Sequence, residues 1–352
     1  MNNQHNTFYY FNDNTIIESK LIALEYEKIT QKECKFFYHD TTYDSLNWKI
    51  EPVGSLQTHY INQAQRLRDN YDYLILCYSG GIDSTNILET YYYNNIKLDK
   101  IISAGSFSQD SFYGNDGNKN GEIYHNVFPY IRHLNLENIF QVFDYTKEFY
   151  NISNFNLFKS PDWIEKTGSW FSPNNWIWSR IHSYVVPKEY KNKKVAIIFG
   201  RDKPVLYVEN QKYFFKFMDA VINSYGFFKG QDDIDVINFY WDPGYPDILL
   251  KQLHILKKFY DHSNNKKTLI NANQTQIIGN TEITKLIYDL KFPLTHISPK
   301  SPSKVVSLRD NFLIQNKNSD VYEIFSRGVR DINSRINTLQ IKPTFSKEYH
   351  IL

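Results

Sequence analysis

The chain has few cysteines: only Cys34 and Cys77 occur among its 352 residues. Two cysteines do not make a disulfide framework, and they are too few for a cysteine-rich zinc site. The ten histidines add no HxxxH, HxH or mixed Cys/His spacing, so we predict no zinc. A chain without disulfides suits a reducing compartment, and we therefore expect a cytoplasmic protein.

The chain also lacks an excess of charge of either sign. Its 40 Lys and Arg residues against 38 Asp and Glu residues give a formal net charge of +2. Such a balance gives no overall attraction to nucleic acid or to an anionic membrane. No apolar run approaches the length of a membrane-spanning helix, and residues 1–5 do not begin a signal peptide. We therefore expect no membrane partner.

Apolar segments with strand-like composition alternate with segments of helical spacing over the middle of the chain. This alternation predicts parallel βαβ units with right-handed crossovers. The predicted fold class is therefore α/β, a Rossmann-like parallel sheet flanked by helices. The predicted strands are 73–78, 98–105, 138–143 and 193–199, and the predicted helices are 57–70, 85–93 and 123–134.

The same pattern divides the chain into three predicted parts. Residues 1–55 are expected to form a small N-terminal α+β element, and residues 56–260 the α/β domain. Residues 261–352 are expected to form a C-terminal, mostly helical extension. A β-hairpin is predicted late in the α/β domain, with its turn at residues 209–211.

A glycine-containing motif connects the first predicted strand to the helix that follows it. Paired glycines let the backbone approach a phosphate without a Cβ clash, and the helix directs its N–H groups and positive dipole end at the phosphate. Two serines add hydroxyl donors, and the aspartate suits the site if a Mg²⁺ ion bridges it to the phosphate. The motif consists of Ser79, Gly80, Gly81, Ile82, Asp83 and Ser84.

Residues 79–84 resemble the SGGxDS signature of the PP-loop ATP pyrophosphatase family at every fixed position. That family includes asparagine, GMP and NAD synthetases and tRNA-modifying ligases, and the motif is not a Walker A loop. The resemblance implies a HUP-type Rossmann-like fold with ATP and Mg²⁺ as cofactors. It also implies cleavage of ATP to AMP and pyrophosphate. In kind, the chain is most similar to the synthetase domain of asparagine synthetases.

A second charged group follows the fourth predicted strand. The carboxyl ends of parallel strands meet at one edge of a sheet, so Gly200 and the residues after it are expected near the motif. Similar synthetases place a lysine and an acidic residue downstream of the loop. By that resemblance Lys203 neutralises the leaving pyrophosphate, Asp202 shares Mg²⁺ with Asp83, and Arg201 clamps a phosphate. The alternative is a charged turn that ends a strand.

Three further segments are less specific. Ala104 and Gly105 end the second predicted strand, where similar proteins hold adenine and ribose through backbone groups. The Trp-rich segment 160–187 is either an insertion over the site or ordinary aromatic core. The turn at 241–247 either shapes an acceptor pocket or simply enters the next helix.

Three functions fit these features. The leading hypothesis is a Mg·ATP-dependent ligase that adenylates a carboxylate or amide oxygen of a small-molecule acceptor and then forms a C–N bond with ammonia or an amine. The family's glutaminase domain begins with a cysteine after the initiator Met, where this chain has Asn2, so no such domain is expected. The second hypothesis is modification of a nucleobase or tRNA, which aromatic segments and the pair Arg66 and Arg68 permit. The third is a non-catalytic nucleotide-binding protein.

Since relatives are often dimers, a homodimer is also an expectation.

Overall fold

A computed structural model describes most of the α/β region and parts of both ends. The described residues are 8–105, 122–144, 186–190, 192–200, 206–210, 212–219, 234–262, 285–292, 294, 323, 330, 334, 335 and 344–351. The predictions for Arg201, Asp202 and Lys203 lie outside the described residues, as do those for most of the Trp-rich segment and most of the C-terminal extension.

The elements follow the predicted alternation of strands and helices. The strands are β1 (Phe8–Tyr10), β2 (Ile16–Ile17), β3 (Lys35–Phe37), β4 (Tyr73–Cys77), β5 (Lys100–Gly105), β6 (Phe140–Asp144), β7 (Val195–Phe199), β8 (Leu206–Glu209), β9 (Lys212–Phe215), β10 (Ile234–Asn238) and β11 (Tyr349–His350). The α-helices with described bounds are α1 (Lys20–Thr30), α2 (Asp40–Asp44), α3 (Leu56–Asn70), α4 (Ile82–Tyr93), α5 (Phe128–His133) and α6 (Asp247–Asp261). A π-helical turn at Ile123–Val127 leads into α5, and a 3₁₀ turn spans Lys188–Tyr190.

The central sheet has five parallel strands in the order β10-β7-β4-β5-β6. Every residue of β4 and of β7 is buried, as expected for central strands of a parallel sheet that is covered on both faces. Cys77, at the end of β4, is among these buried residues. The predicted α/β fold with a parallel, Rossmann-like sheet is therefore confirmed.

Helices α3, α4 and α6 form a layer in which α3 contacts both of the others. Alternate residues of the sheet, such as Leu74, Leu76 and Ile198, join the same apolar core as residues of these helices. Helix α3 begins at Leu56 because Ser55 caps it, accepting a hydrogen bond from the Thr58 N–H. Among the described helices, none is long and apolar enough to cross a membrane.

Two smaller antiparallel sheets bring distant parts of the chain together. Strands β2-β1-β3 form one sheet, and β11-β9-β8 form the other, with β8 and β9 making the predicted hairpin. The Phe36 N–H donates to the Phe345 carbonyl over 2.9 Å, which links β3 to the described end of the chain. Lys20 and Asp219 form a buried ion pair between α1 and the segment after β9. In the C-terminal part, residues 344–351 thus contribute a strand. Of the predicted mostly helical extension, residues 285–287 are helical, and most of the rest lies outside the described residues.

Candidate nucleotide site

The order of the strands creates a topological switch point between β4 and β7. These two strands are paired neighbours, yet the chain continues from β4 to β5 and β6 on one side and from β7 to β10 on the other. In open α/β sheets, ligands bind in the crevice at the carboxyl ends of strands at such a point. Residues 79–84 leave β4 at this crevice, and Gly200 leaves β7 there.

Gly80 has a backbone conformation and surroundings that exclude a side chain. Its φ is +81°, in the left-handed region that favours glycine. A Cβ at this position would lie 2.8 Å from Cγ2 of Val127 and 3.1 Å from the carbonyl oxygen of Glu122. The buried side chain of Asn126 donates from Nδ2 to the Gly80 carbonyl over 3.0 Å. Residues of the π-helical turn therefore pack against Gly80 and restrict the backbone conformation of the loop.

Gly81 is the residue from which α4 starts. Its φ and ψ are −82° and 166°, so it is extended and directly precedes the first helical residue, Ile82. Having no side chain, Gly81 does not cap the first N–H groups of the helix itself. The N–H groups and the positive dipole end at the start of a helix suit an anion such as a phosphate, and α4 starts close to the carboxyl end of β4.

The two serines of the motif fix its shape. The Ser84 hydroxyl donates to the Gly81 carbonyl over 3.1 Å and accepts from the Ser79 N–H over 3.2 Å. The hydroxyl of Ser79 lies 3.1 Å from that of Ser84 and accepts from the Gly81 N–H over 3.2 Å. Ser84 is buried and Ser79 is exposed. Ser84 therefore shapes the loop from inside, while Ser79 is the serine that solvent reaches.

Gly200 packs directly against the start of α4. A Cβ on Gly200 would lie 2.8 Å from the Ser84 nitrogen, 2.9 Å from the Asp83 carbonyl carbon and 3.0 Å from the Ser84 Cα. These are backbone atoms of a helix and have little freedom to move aside. Only glycine therefore lets the end of β7 approach the motif this closely.

Asp83 is half-buried and is held by two tyrosines at different atoms. Tyr288 donates from its phenol to Oδ1 of the Asp83 carboxylate, and Tyr240 donates to the Asp83 carbonyl over 2.7 Å. Asn86 in turn donates to the Tyr240 phenol over 3.0 Å. Burial, and after it the charge of Asp83, raises the pKa of Tyr288 well above its ordinary value, so this phenol stays a neutral donor.

The other predicted site residues divide into two groups. Ala104 and Gly105 end β5, the strand beside β4, and Gly105 is paired with Asp144 on β6. They therefore lie on the side of the switch point opposite to Gly200. The remaining predicted residues, Arg201, Asp202 and Lys203, lie outside the described residues, so their roles remain predictions.

The donors around the crevice suit a magnesium-bound phosphate better than a transition metal. Within the described residues, no group of three or more His, Cys, Asp or Glu side chains is placed to hold a metal ion. Mg²⁺ at phosphate sites needs only one or two protein carboxylates, since water and phosphate oxygens complete its octahedron. Asp83 would supply one such carboxylate, and the Ser79 hydroxyl and the N–H groups at the start of α4 would be donors for phosphate oxygens. The residues present therefore fit Mg²⁺ together with a nucleotide.

Two arginines considered for nucleic-acid binding have internal partners. Arg66 pairs with Asp242, and Arg68 pairs with Asp99 over 2.6 Å. Arg68 also donates to the Tyr71 carbonyl over 2.6 Å. Both guanidinium groups thus hold the α3 region to neighbouring loops, and this pair does not support a nucleic-acid interface.

The turn after β10 is tied to α3 in the same way. Gln63 donates to the Asp242 carboxylate over 2.7 Å, beside Arg66, and the Gly244 N–H donates to the same carboxylate over 2.9 Å. Trp241 is buried, and its carbonyl accepts the phenol of Tyr38 over 2.7 Å. These contacts make the segment a fixed turn at the entrance to α6.

The sequence did not predict three residues that donate hydrogen bonds to the motif from distant parts of the chain. Asn126, Tyr240 and Tyr288 lie far from residues 79–84 in the chain, and no local pattern marks them. Tyrosine is especially uninformative in a chain that contains 28 of them. Gly80 and Gly200 were found, because a glycine at the end of a strand is itself a signal of close backbone approach.

Neither a family model nor a curated protein matches the chain. The resemblance at residues 79–84 therefore rests on the motif and on its position in the fold.

Replacement of Ser84 by alanine tests whether the loop must be preorganised. Ser84→Ala removes the hydroxyl that links three parts of the motif, and we expect nucleotide affinity to fall about tenfold, a difference of about 1.4 kcal/mol. The free energy of unfolding should fall by about 1 kcal/mol, as for one lost hydrogen bond. Calorimetric titration with ATP and denaturant unfolding measure the two quantities.

Ser55→Ala is the matched control for this substitution. It also removes a serine hydroxyl that accepts a backbone N–H, and its expected cost in stability is similar, about 1 kcal/mol. Nucleotide affinity should be unchanged in this variant. Equal affinities for Ser84→Ala and Ser55→Ala would contradict a role of the Ser84 hydroxyl in shaping the loop.

Proposed function

We propose that this protein is a Mg·ATP-dependent ligase of the PP-loop ATP pyrophosphatase type, with a HUP-type α/β domain. It adenylates a carboxylate or amide oxygen of a small-molecule acceptor and releases pyrophosphate. A C–N bond to ammonia or an amine then replaces the bond to AMP. Cytoplasmic location and a homodimeric state belong to the same proposal.

One observation carries the proposal: the SGGIDS motif occupies the switch point of the sheet. The motif satisfies all fixed positions of the SGGxDS signature, and it joins β4 to α4 where β4 and β7 separate the two halves of the sheet. A chance Gly-Gly turn has no reason to fall at that point. The close contact of Gly200 with the first turn of α4 adds support, because it brings the end of β7 to the same crevice.

The residues of the motif have distinct roles in this reaction. The N–H groups at the start of α4 bind phosphate oxygens, with Gly80 and Gly81 allowing the close approach. Asp83 would hold Mg²⁺ through its carboxylate, and a bound ion would supply positive charge for the pyrophosphate leaving group. Lys203, by its place after β7, is proposed to add positive charge at the same leaving group. Such stabilisation is electrostatic and needs no covalent intermediate with the protein.

A non-catalytic nucleotide-binding protein is the main alternative. A protein that only binds Mg·ATP also uses a carboxylate for the ion, so Asp83 alone does not separate the two functions. The chain contains both Asp83 and Lys203, as a reaction that neutralises a leaving pyrophosphate requires. The nucleic-acid alternative loses the support of Arg66 and Arg68, because both have internal partners.

Product analysis tests the proposed reaction. The protein is incubated with ATP, Mg²⁺ and a pool of small metabolites, and AMP plus pyrophosphate are resolved from ADP plus phosphate. We expect AMP and pyrophosphate in equal amounts, and we expect both to disappear when EDTA removes Mg²⁺, since the leaving group then lacks its counter-charge.

The same experiment distinguishes the alternatives. ADP and phosphate as products would contradict chemistry at the α-phosphate. ATP binding without any product, with small molecules and with tRNA alike, would favour the non-catalytic reading. Product formed only with tRNA would favour modification of a nucleic acid over ligation of a small molecule.

A further inference from the structure

The segment 285–292 lies across α3 and α4 and is attached to both helices. On the α3 side, the Tyr60 phenol donates to the Ile287 carbonyl over 3.0 Å. On the α4 side, the N–H groups of Lys291 and Phe292 donate to the carboxylate of Glu89 over 2.8 and 2.9 Å. These bonds fix the backbone of the segment on either side of Tyr288.

Glu89 is the main attachment point on α4, two turns after Asp83. It is only 5% exposed, and the Tyr130 phenol donates to it over 2.7 Å. The ring of Phe292 stacks on that of Tyr130 with centroids 4.0 Å apart. A buried carboxylate with three donors is a costly group unless all its partners are in place, so the end of the segment is firmly seated.

Between these attachments the segment directs one side chain at the nucleotide site. Tyr288 is 4% exposed, and its phenol donates to Oδ1 of Asp83. Its ring lies 5.7 Å from that of Tyr240, whose own phenol donates to the Asp83 carbonyl. Side chain and backbone of Asp83 are therefore fixed by adjacent buried phenols.

We infer that Tyr288 is a positioning residue for Asp83, through which the 285–292 segment holds the carboxylate in the orientation that a nucleotide-bound cation requires. This inference rests on the proposed function. It adds that the motif is incomplete without a residue that lies far downstream in the chain. Carboxylates that bind metals are themselves hydrogen-bonded, and loss of such an outer partner typically costs about 10–100-fold in metal affinity or activity.

The test compares Tyr288→Phe with Tyr60→Phe. Both substitutions remove one buried phenol from the same cluster, and Tyr60 also bonds to this segment. Of the two, Tyr288 is the one that donates to the Asp83 carboxylate. Thermal unfolding of the two variants measures the structural cost of each, and the phenylalanine ring preserves the packing in both.

The first readout is the Mg²⁺ concentration that half-saturates binding of α,β-methylene-ATP, measured by calorimetry. We expect it to rise about tenfold in Tyr288→Phe and to stay at the wild-type value in Tyr60→Phe. An unchanged Mg²⁺ dependence in Tyr288→Phe would overturn the inference. An equal rise in both variants would also overturn it, because the effect would then belong to the cluster as a whole.

The second readout needs no ligand and separates this inference from the proposed function. Hydrogen exchange of the hydrogen-bonded amides of α4, beginning with Thr85, whose N–H donates to the Gly81 carbonyl, is compared in the nucleotide-free proteins, where Tyr288→Phe should exchange faster than Tyr60→Phe. If the wild-type protein binds no Mg·nucleotide, the proposed function fails, and exchange alone decides whether Tyr288 holds Asp83. Equal exchange in the two variants would reject the positioning role.

Discussion

Replacement of Asp83 by asparagine should lower the rate of pyrophosphate release about a thousandfold, since a metal ion at a phosphoryl group contributes several kcal/mol and each factor of ten is about 1.4 kcal/mol. Asparagine has nearly the same shape and still accepts a hydrogen bond from Tyr288 at its side-chain oxygen. The loop should therefore keep its conformation while losing the negative charge that we propose to bind Mg²⁺.

Asp69 provides a control, because it lies in the last turn of α3, near the end of the sheet opposite to the motif. It is an exposed carboxylate that accepts a hydrogen bond from Gln65. Asp69→Asn removes one negative charge from the same domain and should leave the rate unchanged. Initial rates are measured by a coupled pyrophosphate assay, and unfolding midpoints confirm that both variants are folded.

If Asp83→Asn kept the wild-type turnover, Asp83 would not be the Mg²⁺ ligand that we propose. A fall in rate that excess Mg²⁺ restores would instead support it, because a weakened site fills at higher ion concentration. A loss of the folded state in Asp83→Asn alone would assign the carboxylate to stability, through its bond with Tyr288.

The sequence predicted the parts of the site that are local in the chain. The apolar run before Ser79, the paired glycines and the following helix are consecutive, so their geometry follows from local rules for strands, turns and helix starts. It was also predictable that β4 and β7 end at the same edge of the sheet, because alternating strands and helices imply a parallel sheet, whereas the direct pairing of these two strands was not predicted. Gly200 belongs to this class.

The parts that the sequence did not predict depend on long-range packing. Strand β10 is an edge strand whose residues include Asp235 and Asn238, and it lacks the continuous apolar run that marks buried strands. Strand β11 is only Tyr349–His350 and exists because β9 offers it an edge. Tyr288 has no signal at all, since its role comes from the Asp83 carboxylate that it meets only in the folded protein.

Replacement of Gly200 by alanine should damage both stability and nucleotide binding. The added Cβ would lie within 3.0 Å of three backbone atoms of Asp83 and Ser84, so the end of β7 and the start of α4 must move apart. Overpacking of this kind costs about 1–3 kcal/mol. A displacement of about 1 Å at a catalytic group lowers rates by about a hundredfold, and we expect a loss of that order in pyrophosphate release.

Gly244→Ala is the matched control for this prediction. A Cβ on Gly244 would also make a close contact, 2.9 Å, but with the guanidinium of Arg66, which a flexible side chain carries. That contact can relax by a rotation of the Arg66 side chain that weakens its pair with Asp242, so Gly244→Ala should lose less stability than Gly200→Ala and keep the nucleotide affinity of the wild type. If Gly200→Ala and Gly244→Ala behaved alike in denaturant unfolding and in ATP titration, the backbone contact between β7 and α4 would not be what shapes the crevice. If Gly200→Ala lost stability but bound and cleaved ATP normally, α4 would tolerate the displacement, and the phosphate would be held by other residues than the first turn of this helix.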